Sequence, residues 1–278
     1  MGRETEEPLV VIDAASMNRP LFTREFWAYR SLLMQLSVGV FRAKYLHLRT
    51  SFLWYYVRPI VLTLVFVLLR VGVGNDLGEG APYALFVFAG VCFWFIFADT
   101  LMAASSALAR DANLIRKVYF PIIMSPMAQV LARLGDVALA LLGIGVLQAI
   151  FRVGFDTELF MLAPVVAVML VTALGLGCAL AAVSLTTPDA RESVSIMLLL
   201  GLFISPVFYA PAAMPEAARI VLNINPMVGL LGGVRGAMFV DTPFPWAAFI
   251  YSCAFAAVSL TIGAVLFSRA SRNAAEQV

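Results

Sequence analysis

Six stretches of this chain stay apolar for about 20 residues at a time, and that length fits few structures. A helix rises about 1.5 Å per residue, so each stretch matches the roughly 30 Å hydrocarbon core of a bilayer. The stretches lie near 53–71, 82–105, 121–150, 159–185, 193–211 and 246–268. In lipid the backbone finds no water to bond, so each is expected to be a helix. Charge agrees, since only 13% of the 278 residues are charged, about half the fraction of a soluble domain. An all-α polytopic membrane protein with six transmembrane helices is the expected fold. Pro126, Arg133 and Asp136 interrupt the third stretch and blur its ends. After the fifth, Pro211, Pro215 and Pro226 break the pattern. Two short helices that dip into the membrane and return are expected in 211–244, between spans 5 and 6.

Lysine and arginine set the direction. With the N-terminus inside, the cytosolic segments hold Arg3, Arg19, Arg24, Arg30, Arg42, Lys44, Arg49, Arg58, Arg110, Arg116, Lys117, Arg191, Arg269 and Arg272. The external segments hold only Arg70, Arg152, Arg219 and Arg235, and Arg133 is intramembrane. Positive charge favours the cytosolic side, so both termini are expected there. The polar tail 1–25 contains acids and no apolar signal core, and 271–278 is the matching C-terminal tail.

Residues 26–50 read as an amphipathic interface helix. Tyr29, Leu33, Leu36 and Val40 share one face, and Ser31, Gln35, Arg42 and Arg49 share the other. Such a helix is expected to lie along the membrane with its apolar side in lipid. It runs directly toward the first span.

The chain lacks G-x-x-x-x-G-K-[ST], so it has no P-loop of its own for ATP. Val71-Gly72-Val73-Gly74 and Leu174-Gly175-Leu176-Gly177 read as a loop and a helix-packing face. One histidine, His47, and the isolated Cys92, Cys178 and Cys253 form no metal or disulfide pattern. No catalytic residue is assigned.

Three further features carry weight. Asp99, Arg133 and Asp136 are charges within spans, where each is expensive. They read either as a structural pairing of Arg133 with Asp136 or Asp99, or as a polar patch on a substrate path. The loop 109–118 carries Arg110, Asp111, Asn113, Leu114, Ile115, Arg116 and Lys117, with aliphatic contact at its centre and charge on its rim. It reads as a positive-inside anchor or as a docking element. Aromatic residues crowd the second span (Tyr83, Phe86, Phe93, Trp94, Phe97) and the outer end of the fifth (Phe203, Phe208, Tyr209). They read as packing and interfacial belt, or as a channel lining whose ring faces meet sugars.

The chain resembles the membrane subunit of type-2 ABC exporters, in their polysaccharide branch, over most of residues 25–270. The anchors are Lys44-Tyr45 with Trp54 and Pro59, then Asn113-Leu114-Ile115-Arg116-Lys117 with Phe120-Pro121. Pro188-Asp189-Ala190-Arg191 leads to Ser205-Pro206-Val207-Phe208-Tyr209, and Met214-Pro215 to Leu222-Asn223-Ile224-Asn225-Pro226. The segment Leu46-His47-Leu48-Arg49-Thr50 is more apolar than family members usually carry.

The resemblance implies that 51–270 is a six-helix permease domain working as a homodimer. Two copies of a separate cytosolic ABC ATPase would supply ATP and Mg, and this chain would bind no cofactor. It implies docking through 26–50, including Arg42 and Lys44, and through 109–118, and it implies short external re-entrant helices at about 212–238. It implies a lipid-linked polysaccharide such as O-antigen, capsule or teichoic acid, exported across a bacterial inner membrane. Membrane lipids are the other partner, and no nucleic acid is implied. A type-2 permease for drugs or small lipids, and a secondary transporter, stay open as alternatives.

Overall fold

The computed structural model describes residue 27 and residues 29–45, 51–73, 82–111, 120–154, 157–187, 189–240 and 242–276. Among these residues the regular structure is helical, with no strand. The helices are α1 (Arg30–Tyr45), α2 (Ser51–Val73), α3 (Tyr83–Ser105), α4 (Ala107–Arg110), α5 (Met124–Ala132) and α6 (Leu134–Phe151). They continue with α7 (Leu162–Thr186), α8 (Ala190–Ile204), α9 (Glu216–Leu222), α10 (Met227–Met238) and α11 (Trp246–Glu276).

Helix α3 is the axis of the molecule. It is apolar on every side, and a helix of that kind must be enclosed. Leu85, Val87, Val91, Cys92 and Phe93 are sealed from solvent, and α2, α5, α6, α7, α8 and α10 all touch α3. Helix α7 packs closest to α11. A Cβ on Gly175 would sit 2.5 Å from the Leu260 nitrogen, and one on Gly177 would sit 2.6 Å from the Ala104 Cβ of α3. The Leu174-to-Gly177 run is thus a packing face, as its glycines suggest. The other glycine pair differs from expectation, because α2 runs on through Gly72 to Val73.

Helix α2 lies at the edge, with Leu53, Trp54, Ile60, Leu64 and Leu68 more than half exposed. Apolar surface on that scale needs lipid or another protein chain against it.

Five helical units are long and apolar enough to cross a bilayer, at Leu53–Val71, Tyr83–Ser105, Met124–Phe151, Glu158–Leu185 and Trp246–Ala270. The bent pair α9 and α10 makes a sixth if counted as one broken span. The chain is therefore an all-α, multi-pass membrane protein.

The interruptions in the third span tighten it without ending it. Arg133 keeps right-handed geometry (φ −71, ψ −12) while its N–H reaches back only three residues, to the Val130 carbonyl at 3.0 Å. Pro126 sits in the first turn of α5, where a missing N–H breaks no helical bond.

Helix α8, expected as the fifth span over 193–211, stops at Ile204. Its 15 residues reach about 22 Å. Ser205 turns extended (φ −76, ψ 152), and Pro206 has no N–H to continue the ladder. Beyond it, α9 and α10 meet at 96° across the Leu222-Asn223-Ile224-Asn225-Pro226 corner. The Asn225 side chain fixes that corner, accepting from the Met227 N–H (2.9 Å) and donating to Ser205 Oγ (2.8 Å).

Helix α1 departs from expectation in its surroundings. Its apolar face meets protein: Leu33 belongs to the buried core, and Tyr29, Leu32 and Leu36 pack against that core. Helix α5 supplies the opposing surface. Gly135 at the start of α6 leaves room for the Phe41 ring, which a Cβ there would strike.

Candidate functional site: a charged seam and an arginine clamp

Lys44, in the last turn of α1, reaches the third span. Its Nζ donates to both oxygens of Asp136, at 2.8 and 2.7 Å. Arg133 lies one turn before Asp136, and its Nη1 donates to the same Oδ2 at 2.9 Å. The Arg133 Nη2 also donates to the Asp99 carbonyl of α3 at 3.2 Å. Asp99 in turn faces Arg58 of α2, with 4.0 Å between Nη1 and Oδ1. A seam of alternating charge thus ties α1, α6, α3 and α2 at one end of the bundle.

The seam is closed at one end and loose at the other. Asp136 is 2% exposed and is shared between two cations, so its charge is well compensated. Arg58 is largely open, and Asp99 is partly so. Burial, reinforced by the Arg133 guanidinium, pushes the Lys44 ammonium below the ordinary lysine range, and Asp136 pulls the other way.

The residues expected to dock a partner are distributed unevenly. Arg42 is exposed on α1. Lys44, expected to face a partner, is instead engaged with Asp136. Arg110 is exposed, and its Nη2 donates to Ser106 Oγ at 3.1 Å. Asp111 accepts a short hydrogen bond from Ser125 Oγ, which anchors the start of the loop to α5. Asn113, Leu114, Ile115, Arg116 and Lys117 lie outside the described residues. Of the two readings of the intramembrane charges, the pairing of Arg133 with Asp136 is present.

The second feature was not expected. Arg235 of α10, counted above among the external charges, is 3% exposed and lies inside the fold. Its Nη1 donates to the Pro206 carbonyl (2.7 Å), and its Nη2 to the Val207 (2.8 Å) and Phe86 (3.3 Å) carbonyls. The guanidinium lies 3.5 Å from the Phe86 ring centroid. It therefore clamps the non-helical turn after α8 onto α3. Gly90 makes room, since a Cβ there would meet Arg235 Nη2 at 2.5 Å and the Val207 carbonyl oxygen at 2.8 Å. The signal for this clamp in the sequence is an arginine set among Gly229, Gly232, Gly233 and Gly236, a helix built for close approach.

The aromatic residues expected to line a channel are mostly enclosed within the single chain. Tyr83, Phe86, Phe93, Trp94 and Phe97 are buried because α3 is the central helix. Phe208 is also buried and stacks on Phe66 of α2, with 3.6 Å between centroids. Tyr83 donates its hydroxyl to the Phe208 carbonyl at 3.0 Å. Tyr209 closes a local turn by donating to the Ile204 carbonyl. Phe203 alone of this set is more than half exposed. Trp94 and Phe97 also border a cleft of about 380 Å³ that α7, α8, the corner at Asn225, Pro226 and Met227, and Phe255 of α11 complete.

Comparison with known proteins gives a consistent result. Residues 33–239 match the ABC-2 type transporter family. The chain is 31% identical to the O-antigen export system permease protein RfbA of Myxococcus xanthus over 241 residues, 86% of this chain and 91% of that protein. Two proteins of the same name from Klebsiella pneumoniae are 21% and 20% identical, over 72% and 88% of this chain and 77% and 94% of theirs. The matched region includes the charged seam, the turn after α8 and the Arg235 clamp. On this match, carried on a multi-pass helical fold, the chain belongs to the ABC-2 type transporter family and is an ABC transporter permease.

Proposed function

We propose that two copies of this chain form the membrane pathway of an ATP-driven exporter for a lipid-linked polysaccharide of the O-antigen kind. Two copies of a separate cytosolic ATPase bind below and supply ATP hydrolysis. The substrate class is carried over from the relatives, which are named for O-antigen export. Both termini lie in the cytosol and the assembly sits in the inner membrane.

The Lys44–Asp136 contact carries the mechanism, because it gives α1 a direct hold on the third span. Helix α1 and the loop 109–118 meet the ATPase. Closure of the ATPases displaces α1, and the seam passes that displacement to α6 and α3. The transport states are then populations of one bistable bundle, shifted by nucleotide. The exposed faces of α2 and α8 are where the second copy and the polymer path belong. Trp54 of α2 and Phe203 of α8 are exposed aromatic residues available to that path.

The test is deletion of the gene with analysis of surface glycans. Loss of one surface polymer together with its accumulation in the cytosol is the expected result. Affinity purification of the tagged chain should bring down an ABC ATPase. Charge reversal at Arg110 and Arg116 should release it while membrane insertion stays normal. Unchanged surface glycans, with no ATPase recovered, would refute the reading.

A further inference from the structure

The loose end of the seam lies on the outer surface of the bundle, at membrane depth. Arg58 is seven residues into α2 and Asp99 six residues from the end of α3, so both lie about 10 Å inside their helix ends. Around Arg58 the surface is apolar, with Trp54, Val57, Val61 and Leu64 exposed by 67, 42, 52 and 56%. An arginine there is costly unless it meets water or a closely held opposite charge. The closed half of the seam shows what a satisfied carboxylate looks like in this protein: Asp136 holds both its cations within 2.9 Å. Arg58 stands 4.0 Å from Asp99, and the two side chains are 69 and 43% exposed. Its guanidinium carbon lies 5.7 Å from the Phe95 ring centroid, which keeps the fork over the surface of α3. The pair is therefore formed loosely enough to be replaced.

We propose that Arg58 receives the phosphate headgroup of a membrane lipid, with Asp99 as the resident partner that the phosphate displaces. Planar guanidinium matches phosphate in a two-point contact that a carboxylate at 4.0 Å does not make here. Asp99 then limits how tightly the headgroup is held, which suits a site that must also let go. This rests on the exporter reading in one respect: the lipid meant is the phosphate-bearing carrier of the glycan, and bulk phospholipid offers the same chemistry.

The test is native mass spectrometry of the full chain released from micelles, with a polyprenyl diphosphate and phosphatidylglycerol as separate probes. Arg58→Gln should lower polyprenyl diphosphate retention at least about tenfold, the loss of one charge-assisted contact. Arg58→Lys should fall between, because it keeps the charge and loses the fork. Asp99→Asn should raise retention, and Arg219→Gln on exposed α9 should leave it unchanged. Equal retention in wild type and Arg58→Gln would overturn the site. A fall in Asp99→Asn parallel to that in Arg58→Gln would mean a purely structural pair and would also overturn it. An altered oligomeric state with retention unchanged would assign Arg58 to a subunit contact instead. Equal, Arg58-dependent retention of both probes would keep the phosphate site and overturn its assignment to the carrier. Failure of the exporter reading would appear separately, as unchanged glycans in the deletion strain.

Discussion

Asp136→Asn should destabilise this protein far more than Lys44→Gln, although the two residues are partners in one ion pair. The difference follows from who is left behind. Asp136 is buried and accepts from Lys44 at 2.7 and 2.8 Å and from Arg133 at 2.9 Å. Removing its charge strands two cations side by side, one of them on an arginine side chain only 15% exposed. Stranding a buried charge costs about 3–5 kcal/mol. Removing Lys44 strands nothing comparable, because Arg133 still neutralises Asp136. The Lys44 side chain is 37% exposed, so its own share is about 1 kcal/mol. The double variant should recover part of the Asp136→Asn loss, since Arg133 then no longer faces the Lys44 ammonium at close range. Equilibrium unfolding in mixed detergent micelles measures all three, and the four proteins form a double-mutant cycle. Equal losses for the two single variants, or strictly additive losses, would refute the shared-carboxylate account.

Two further outcomes concern packing. Gly263→Val should destabilise by about 1–3 kcal/mol, because the added side chain meets the Gly175 backbone of α7 rather than a movable side-chain tip; the same micelle titration reads it. Arg235→Met should cost about 1–3 kcal/mol for each carbonyl of the 206–207 turn left without its donor. It should also make that turn a new site of limited proteolysis, and an uncut turn with unchanged stability would contradict the clamp.

Hydropathy alone located five of the six expected spans, because lipid imposes one rule, a continuous apolar helix, on every crossing. The early stop of α8 was also within reach, since Ser205-Pro206 is a helix-ending pair. What sequence could not distinguish was the kind of apolar partner. The Tyr29, Leu33 and Leu36 face fits lipid or protein equally well, and only the fold sets it against α5. The aromatic residues of α3 posed the same problem, because a core and a sugar-lined path share a composition. The Lys44–Asp136 contact joins residues 92 apart, and no local spacing points across such a gap. The Arg133–Asp136 pairing was visible because it lies within one helical turn.

The Arg235 clamp also fixes an order of events during synthesis. Phe86 precedes Arg235 by 149 residues, and Pro206 and Val207 precede it by 29 and 28. Every nascent chain therefore holds α3 and the turn after α8 before the donor that joins them exists. That end of the bundle closes only once α10 arrives, so truncation ahead of residue 235 yields an open bundle, not a smaller finished one.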